Sequence, residues 1–561
     1  NTAYGTDVSG NGNNFTDNGF ATTDQVADTP TDDADLEIGN YATLNSNDRL
    51  TLYATPTFSE GNLAMGGAGN NCDTRATHAV SSGKHYFEMK VTTYAAGIHV
   101  GVTKASDMLN TTEPPNQRVY YAGTGNKKSG STLSAYGATY TTNDIIGVAV
   151  DLDVGEIEFF KNNVSQDVAF TDLTVGDAYM PLVDTNNGGA ILMDFGQRGF
   201  TYTPPAGYQA LATQNLTDVA IDVPSLHMNT VLYTGNGTAI GSGGNAITGV
   251  GFQPDFVWMK SRSAATDHAL YDSVRGATKE IISNSTAAES TLTEGLTAFG
   301  TDGFTLGSDA AVNTSSATYV AWCWKAGGTA ASNTDGTITS SVSANTTSGF
   351  SIVTYTGTGA AATVGHGLGV PNDFMIFKSR SNTSSPGVVT SALGFTKDLL
   401  LEATDAAYTR AAISNNTAPT STVFSVGTDT AINASGYTYV AYCWAEVEGF
   451  SKFGSYTGVA GDGPLQYCGF KPAFVLIKSS SNAGNGWGIF DAKRNTYNPV
   501  TSVLNPHGSG AEGNYGTGIN FLSTGFKPYD TSGELNATGY TYIYAAFAEH
   551  PFQGDAGVTQ A

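Results

Sequence analysis

The chain has 561 residues, with 25 Lys and Arg against 49 Asp and Glu, a formal charge of −24 and an isoelectric point near 4.5. That balance repels a phosphate backbone, and with no basic run longer than Lys127-Lys128 nucleic acid is excluded as an expected partner. No run of about 18 apolar residues occurs, so no membrane insertion is expected and the chain reads as soluble.

Charged residues make up only 13% of the chain, against about 25% in an ordinary domain, while 68 glycines and abundant Thr, Ser and Asn supply turn residues every few positions. Short strands separated by turns follow from that mixture, and the fold class expected is all-β. Residues 1–40 read as an N-terminal flank or strand packing on the first domain. Their start, NTAYGTDVSGNGNN, has neither the basic beginning nor the apolar centre of a signal peptide. Because the chain begins with Asn and not Met, processing or an upstream segment is expected to account for its start. The cluster Asp32-Asp33-Ala34-Asp35 lacks the spacing of a calcium loop and reads as a solvated acidic turn.

Residues 41–220 alternate as a β-sandwich does. In GKHYFEMKV, Gly83 to Val91, His85, Phe87, Met89 and Val91 share one face and Tyr86, Glu88 and Lys90 the other, so one face should be buried and one wet. In Asn143 to Asn163, two strands flank the turn Asp153-Val154-Gly155-Glu156, a hairpin signal.

Residues 225–552 carry three copies of one pattern. GFQPDFVWMKSRS from Gly251 recurs as GVPNDFMIFKSRS from Gly369 and GFKPAFVLIKSSS from Gly469. TYVAWCW from Thr318 recurs as TYVAYCW from Thr438 and TYIYAAF from Thr541. Tyr233, Tyr355 and Tyr456 open the copies 122 and 101 residues apart, enough for domains with their own cores. The expected domains are therefore 225–328, 350–447 and 448–552, each sandwich-like, with a Ser/Thr/Asn/Gly segment at 329–349 that marks a linker or a short exposed strand, and a tail at 553–561. The TYVAWCW segment places Tyr319, Ala321 and Cys323 on one face and Val320, Trp322 and Trp324 on the other, apolar throughout, and should be the last core strand of its domain. The four cysteines, Cys72, Cys323, Cys443 and Cys468, are too scattered for a disulfide framework, and Cys323 and Cys443 read as small core fillers because the third copy has Ala546 in their place.

The motifs GKHYFEMKV, VGV from Val100, GVAVDLDVGEIEFFKNN from Gly147 and MDFGQ from Met193 resemble a SPRY domain. That resemblance implies a concanavalin-like sandwich serving as a binding module, with ligands met by variable loops. DVSGNGNNFT, Asp7 to Thr16, and FTYTPPAGYQAL, Phe200 to Leu211, resemble the flanks of such domains in virion proteins of bacterial viruses. The repeated segments resemble a tandem domain of unknown function in the same proteins.

The paired carboxylates Asp151, Asp153, Glu156 and Glu158 are the residues that could carry glycan-cleaving chemistry, but the hairpin turn separates the two pairs and they should face solvent. The eight histidines, His78, His85, His99, His227, His268, His366, His507 and His550, show no HxH or HxxxH pairing that would converge on zinc. No nucleophile elbow or phosphate loop occurs. The expectation is therefore a non-enzyme with no catalytic, cofactor-binding or metal residue and no cofactor, and with ligand-binding residues unassigned. The function expected is a virion fibre-type protein, exposed outside the cell and contacting a host-surface glycan or receptor. It should bind other virion proteins and form homo-oligomers. A purely structural virion subunit and a secreted bacterial adhesin are the alternatives.

Overall fold

The computed structural model describes residues 39–552 apart from 51–54, 68, 70, 108, 110–113, 217 and 218. The cluster Asp32–Asp35, the rest of the flank before residue 39 and the tail from residue 553 lie outside the described residues. The architecture is all-β, with short 3-10 turns and four-residue helices between strands. The chain divides after residue 218 into two compact units.

The front unit is a sandwich of two sheets, antiparallel apart from the short Gln209–Ala210 strand, which pairs parallel to Lys84–Thr93. The first runs in the order Leu44–Arg49, Thr74–Ala76, Tyr179–Asp184, His99–Lys104, Arg118–Tyr121, Asn126–Ser129, Thr132–Ala135. The second runs Val164–Phe170, Glu156–Lys161, Ile145–Asp151, Lys84–Thr93, Ala190–Asp194, Ala64–Gly66, Thr57–Ser59. Alternation sends Phe87, Met89, Val91, Val148, Val150 and Phe159 into the core between the sheets. The opposite face of the Lys84–Thr93 strand is exposed at Lys90, as alternation suggests, but not at Tyr86 and Glu88. Tyr86 and Glu88 are buried beneath the segment that follows the sandwich. The Glu88 carboxylate accepts from the backbone N–H groups of Thr201 (2.8 Å) and Tyr202 (2.9 Å), and Phe200 packs edge-on against Tyr86. Periodicity identifies a face but not the chain laid over it.

In the back unit each copy forms two small sheets packed on a core of its own. The TYVAWCW-type strand, last in sequence, is interior in space. Thr318–Trp324 pairs with both Met228–Thr234 and Phe256–Ser261, and Thr438–Trp444 and Thr541–Pro551 repeat the arrangement. Its two apolar faces serve two different cores. Ala321 and Cys323 face the core of the first copy, as Ala441 and Cys443 do in the second. Val320, Trp322 and Trp324 instead join Val440, Tyr442, Trp444, Ile543, Ala545 and Phe547 in a core shared by all three copies. The copies are therefore lobes of one body and not beads on a string.

The segment 329–349 is not a spacer. Ala331–Asn333 pairs with Ser340–Asn345, which pairs in unbroken register with Phe350–Thr356, so the segment adds two strands to the second lobe. Its hydroxyls, which make it look like a linker, are used locally: Ser340 donates to the Gly365 carbonyl (2.9 Å) and Ser343 to that of Gly328 (2.7 Å).

Equivalent residues close the three lobes into a ring. The N–H of Glu289 in the first lobe donates to the Arg380 carbonyl of the second, Ala407 of the second to Ser480 of the third, and Glu512 of the third to Arg262 of the first, all at 2.8–2.9 Å. Two junctions add charge. Arg380 pairs with Glu289 (2.8 Å), which also takes Arg275 of its own lobe, and Arg275 pairs with buried Asp272, whose carboxylate accepts from the Tyr442 hydroxyl (2.7 Å). Arg262, Glu512, Arg494, Asp491 and Trp322 repeat this between the third and first lobes, the Trp322 indole donating to Asp491 at 3.0 Å. At the remaining junction the corresponding positions hold Ser480, Ala407, Leu393, Thr390 and Ala545. Ion pairs give way there to small and apolar side chains.

Candidate functional site

The carboxylates weighed for catalysis are held structurally. Register sets Asp151 directly opposite Glu156, and Ala149 opposite Glu158. Asp151 does not face solvent: it is buried and paired with Lys84 at 2.7 Å, while Asp153 accepts the Gly83 N–H at 2.8 Å. Glu158 accepts from the Ser165 hydroxyl. Several histidines are core members. His78 lies with Nε2 at 2.9 Å from the Asn40 carbonyl, and burial pulls it down to about 4. His268 Nδ1 accepts the Trp258 indole N–H at 2.9 Å, and His507 Nδ1 accepts the Trp487 N–H at 3.0 Å.

One side of the front sandwich, where a terminal strand of each sheet lies, is open among the described residues. Thr132–Ala135 ends the first sheet and Val164–Phe170 ends the second. The Tyr136 hydroxyl donates to the Asp167 carbonyl, and Gln166 accepts the Ala138 N–H at 2.9 Å, so the two ends lie together. All four residues of Thr132–Ala135 are exposed, as are the apolar Leu133, Val164 and Val168. An end strand leaves a row of backbone donors and acceptors unpaired, the arrangement to which an extended partner segment can add. The register shifts in the pairing of Glu156–Lys161 with Val164–Phe170 limit how far such pairing could run.

The outward face of the first sheet carries a second feature. Register aligns Asp184 with His99 and His99 with Tyr121, while Thr74 opposite Val183 brings Asp73 to the same row. Asp73, His99 and Asp184 are each 1% exposed, and their ligand-capable atoms all lie within 4.8 Å of one another. His99 Nδ1 is 3.1 Å from the Gly97 carbonyl and Nε2 is 3.0 Å from Asp73 Oδ1. Asp184 Oδ1 accepts from the N–H groups of Cys72 (2.9 Å) and Asn186 (2.8 Å). Burial raises the Asp184 carboxyl to about 6. Burial also opposes protonation of His99, but the hydrogen bond and charge of Asp73 outweigh it, and the net shift is upward. These three residues are 26 and 85 positions apart in sequence. A search for neighbouring His and Cys pairs misses them because sheet register, not sequence spacing, brings them together.

Comparison with known proteins separates the two units. Residues 84–198 match the SPRY domain family, so a SPRY domain is present. Ran-binding protein 10 of Danio rerio is 32% identical over 136 residues, covering 23% of this chain and 22% of that protein. Ran-binding protein 9 of Homo sapiens is 30% identical over 136 residues, covering 23% and 18%. The chain thus spans about a fifth of the length of these relatives. Among solved structures, the SPRY domain of human HERC1 aligns at 17% identity with a TM-score of 0.23, covering 27% of this chain and 96% of that one. The TRIM65 PSpry domain aligns at 11% with a TM-score of 0.23, covering 28% and 90%. Residues 223–551, the whole three-lobed body and more than half of the sequence, match a single family model, and the chain belongs to the family described as Domain of unknown function (DUF7483).

Proposed function

We propose that the chain is a binding component of a virion, of fibre or adhesin type, and not an enzyme: the SPRY sandwich recognises a host-surface glycan or protein, and the three-lobed body carries it. The observation that most supports this is the open side of the sandwich, where two end strands and exposed Leu133, Val164 and Val168 lie together in a domain family that serves as a protein-interaction module. The sparse surface charge and dense strand content suit an exposed, protease-resistant particle part. The same open edge favours a second reading, docking onto another virion subunit, because strand addition does not distinguish a receptor from a structural neighbour. Homo-oligomerisation belongs to either reading.

The test is binding of the labelled full chain to intact candidate host cells, with Leu133→Asp and Val164→Asp compared with the unaltered protein. Saturable binding weakened by these exposed substitutions supports recognition through the sandwich edge. No binding to any host, together with co-purification with virion particles, supports the structural-subunit reading.

A further inference from the structure

The row Asp73, His99, Asp184 poses a problem of charge and of unpaired atoms. If the Nδ1–H of His99 is donated to the Gly97 carbonyl, Nε2 carries a lone pair facing Asp73 Oδ1 at 3.0 Å. Something positive must lie between them, either a proton or a cation. A proton there leaves the cluster net negative in a fully buried setting as long as both carboxylates are ionised, which is costly. It also leaves Asp73 Oδ2 buried without a partner. Thr185 Oγ1 and Asn186 Oδ1, in the turn directly after Asp184, are likewise buried and unpartnered. Buried oxygens of this kind ask for a water or an ion.

A divalent cation answers both points. It neutralises two carboxylates and a neutral imidazole, and it gives Asp73 an electrostatic partner. The His99 orientation is the one metal-bound histidines adopt, with the second ring nitrogen donating to a backbone carbonyl. In a tetrahedral site with bonds of about 2.0–2.1 Å the ligand atoms lie roughly 3.3 Å apart, so the 3.0 Å approach of Asp73 to His99 is already close to that of a coordinated pair. One imidazole with two carboxylates is a donor set for Zn2+ or Mn2+ and not for the all-oxygen preference of Ca2+.

We propose that a first-row divalent transition cation, Zn2+ or Mn2+, sits between Asp73, His99 and Asp184 and ties together three strands on the outward face of the first sheet. Its role there is structural: it fixes the register of Thr74–Ala76, Tyr179–Asp184 and His99–Lys104 within the recognition domain.

The full chain, stripped with a chelator and dialysed, is titrated with Zn2+, Mn2+ and Ca2+, and its melting and ion content are followed. The expected result is one tightly retained Zn2+ or Mn2+ per chain, a raised melting temperature, and no comparable effect of Ca2+. Asp73→Asn and His99→Gln should each weaken retention by more than about 100-fold, beyond the 10–100-fold loss that an outer-shell partner accounts for. Should a variant fail to fold, Co2+ substitution of the unaltered chain decides independently, since visible bands of a low-symmetry site with imidazole and oxygen donors are expected. A stripped chain that stays folded, keeps no ion, shows no melting shift and gives no such Co2+ bands overturns the proposal, as does Zn2+ retention undiminished in folded His99→Gln.

Discussion

Two of the three lobe junctions are built from charge and the third is not. Arg275, Asp272, Glu289, Arg380 and Tyr442 at one junction correspond to Leu393, Thr390, Ala407, Ser480 and Ala545 at another, so five positions have changed together within one chain. A buried ionic network is weak evidence of stability, because the desolvation of its charges offsets most of their attraction, and apolar groups of similar volume often serve as well. The ring closes with either chemistry because the backbone hydrogen bond and the shared aromatic core are common to all three junctions. What charge adds is order. A lobe edge carrying Asp272, Arg275 and Glu289 set against Ala545 and Ser480 would lose the Tyr442 hydroxyl that bonds to Asp272 and the Arg380 that pairs with Glu289, so the charges favour one order of lobes.

The sharpest way to break the comparison is to move one charge alone. Leu393→Arg places a guanidinium at the apolar junction without its Asp and Glu partners, and a loss of several kcal/mol in chemical denaturation is expected. Arg275→Leu at a charged junction leaves Asp272 buried and unpaired and should cost about 3–5 kcal/mol. The comparison is sharpened by the full exchange: combining Arg275→Leu with Asp272→Thr, Glu289→Ala, Arg380→Ser and Tyr442→Ala should recover most of that loss. If the fivefold variant is as unstable as Arg275→Leu alone, the junctions are not interchangeable.

A smaller effect is expected from the repeated lysines, of which two reach across a junction, one charged and one apolar, while Lys260 donates to the Ser261 and Ala264 carbonyls of its own lobe. Lys378 donates to the Ser285 carbonyl of the first lobe (3.0 Å) and Lys478 to the Asp405 carbonyl of the second (2.8 Å). Lys260, Lys378 and Lys478 are buried, and burial lowers each to about 8. The unfolded chain, with lysines near 10.4, binds more protons than the folded one between about pH 8 and pH 10, so these groups make stability rise with pH across that window. The slope is at most about 1.4 kcal/mol per pH unit for each lysine, and Lys478→Met should flatten it by about a third. An unchanged slope in that variant would assign the dependence to other groups.

Much of this fold was legible in the sequence, because strand alternation and the repeated FVWMK and TYVAWCW patterns follow directly from period-two burial. The motifs of the SPRY segment also read correctly. Alternation places Trp322 and Trp324 on one face of an apolar strand, yet a segment apolar on both sides does not say that its faces enter different cores. In the Ser/Thr-rich stretch 329–349 only Ile338, Val342 and Ala344 reach the core of the second lobe, too few among polar neighbours to tell its two strands from a linker. Asp73, His99 and Asp184 were invisible for a different reason. Their meeting depends on the pairing of three strands distant in sequence, and register is set by the whole sheet.

The claim that the three copies form one body is tested most directly by excising the middle lobe with its two added strands, residues 329–447, and comparing it with residues 219–553. The shared core predicts a single cooperative unfolding transition for the three-lobed fragment. It also predicts that the isolated copy, with Phe350, Phe374, Tyr442 and Trp444 exposed, is unfolded or aggregated. An isolated copy that folds as a stable monomer with sharp melting, alongside three separable transitions in the longer fragment, would contradict it and restore a string of independent domains.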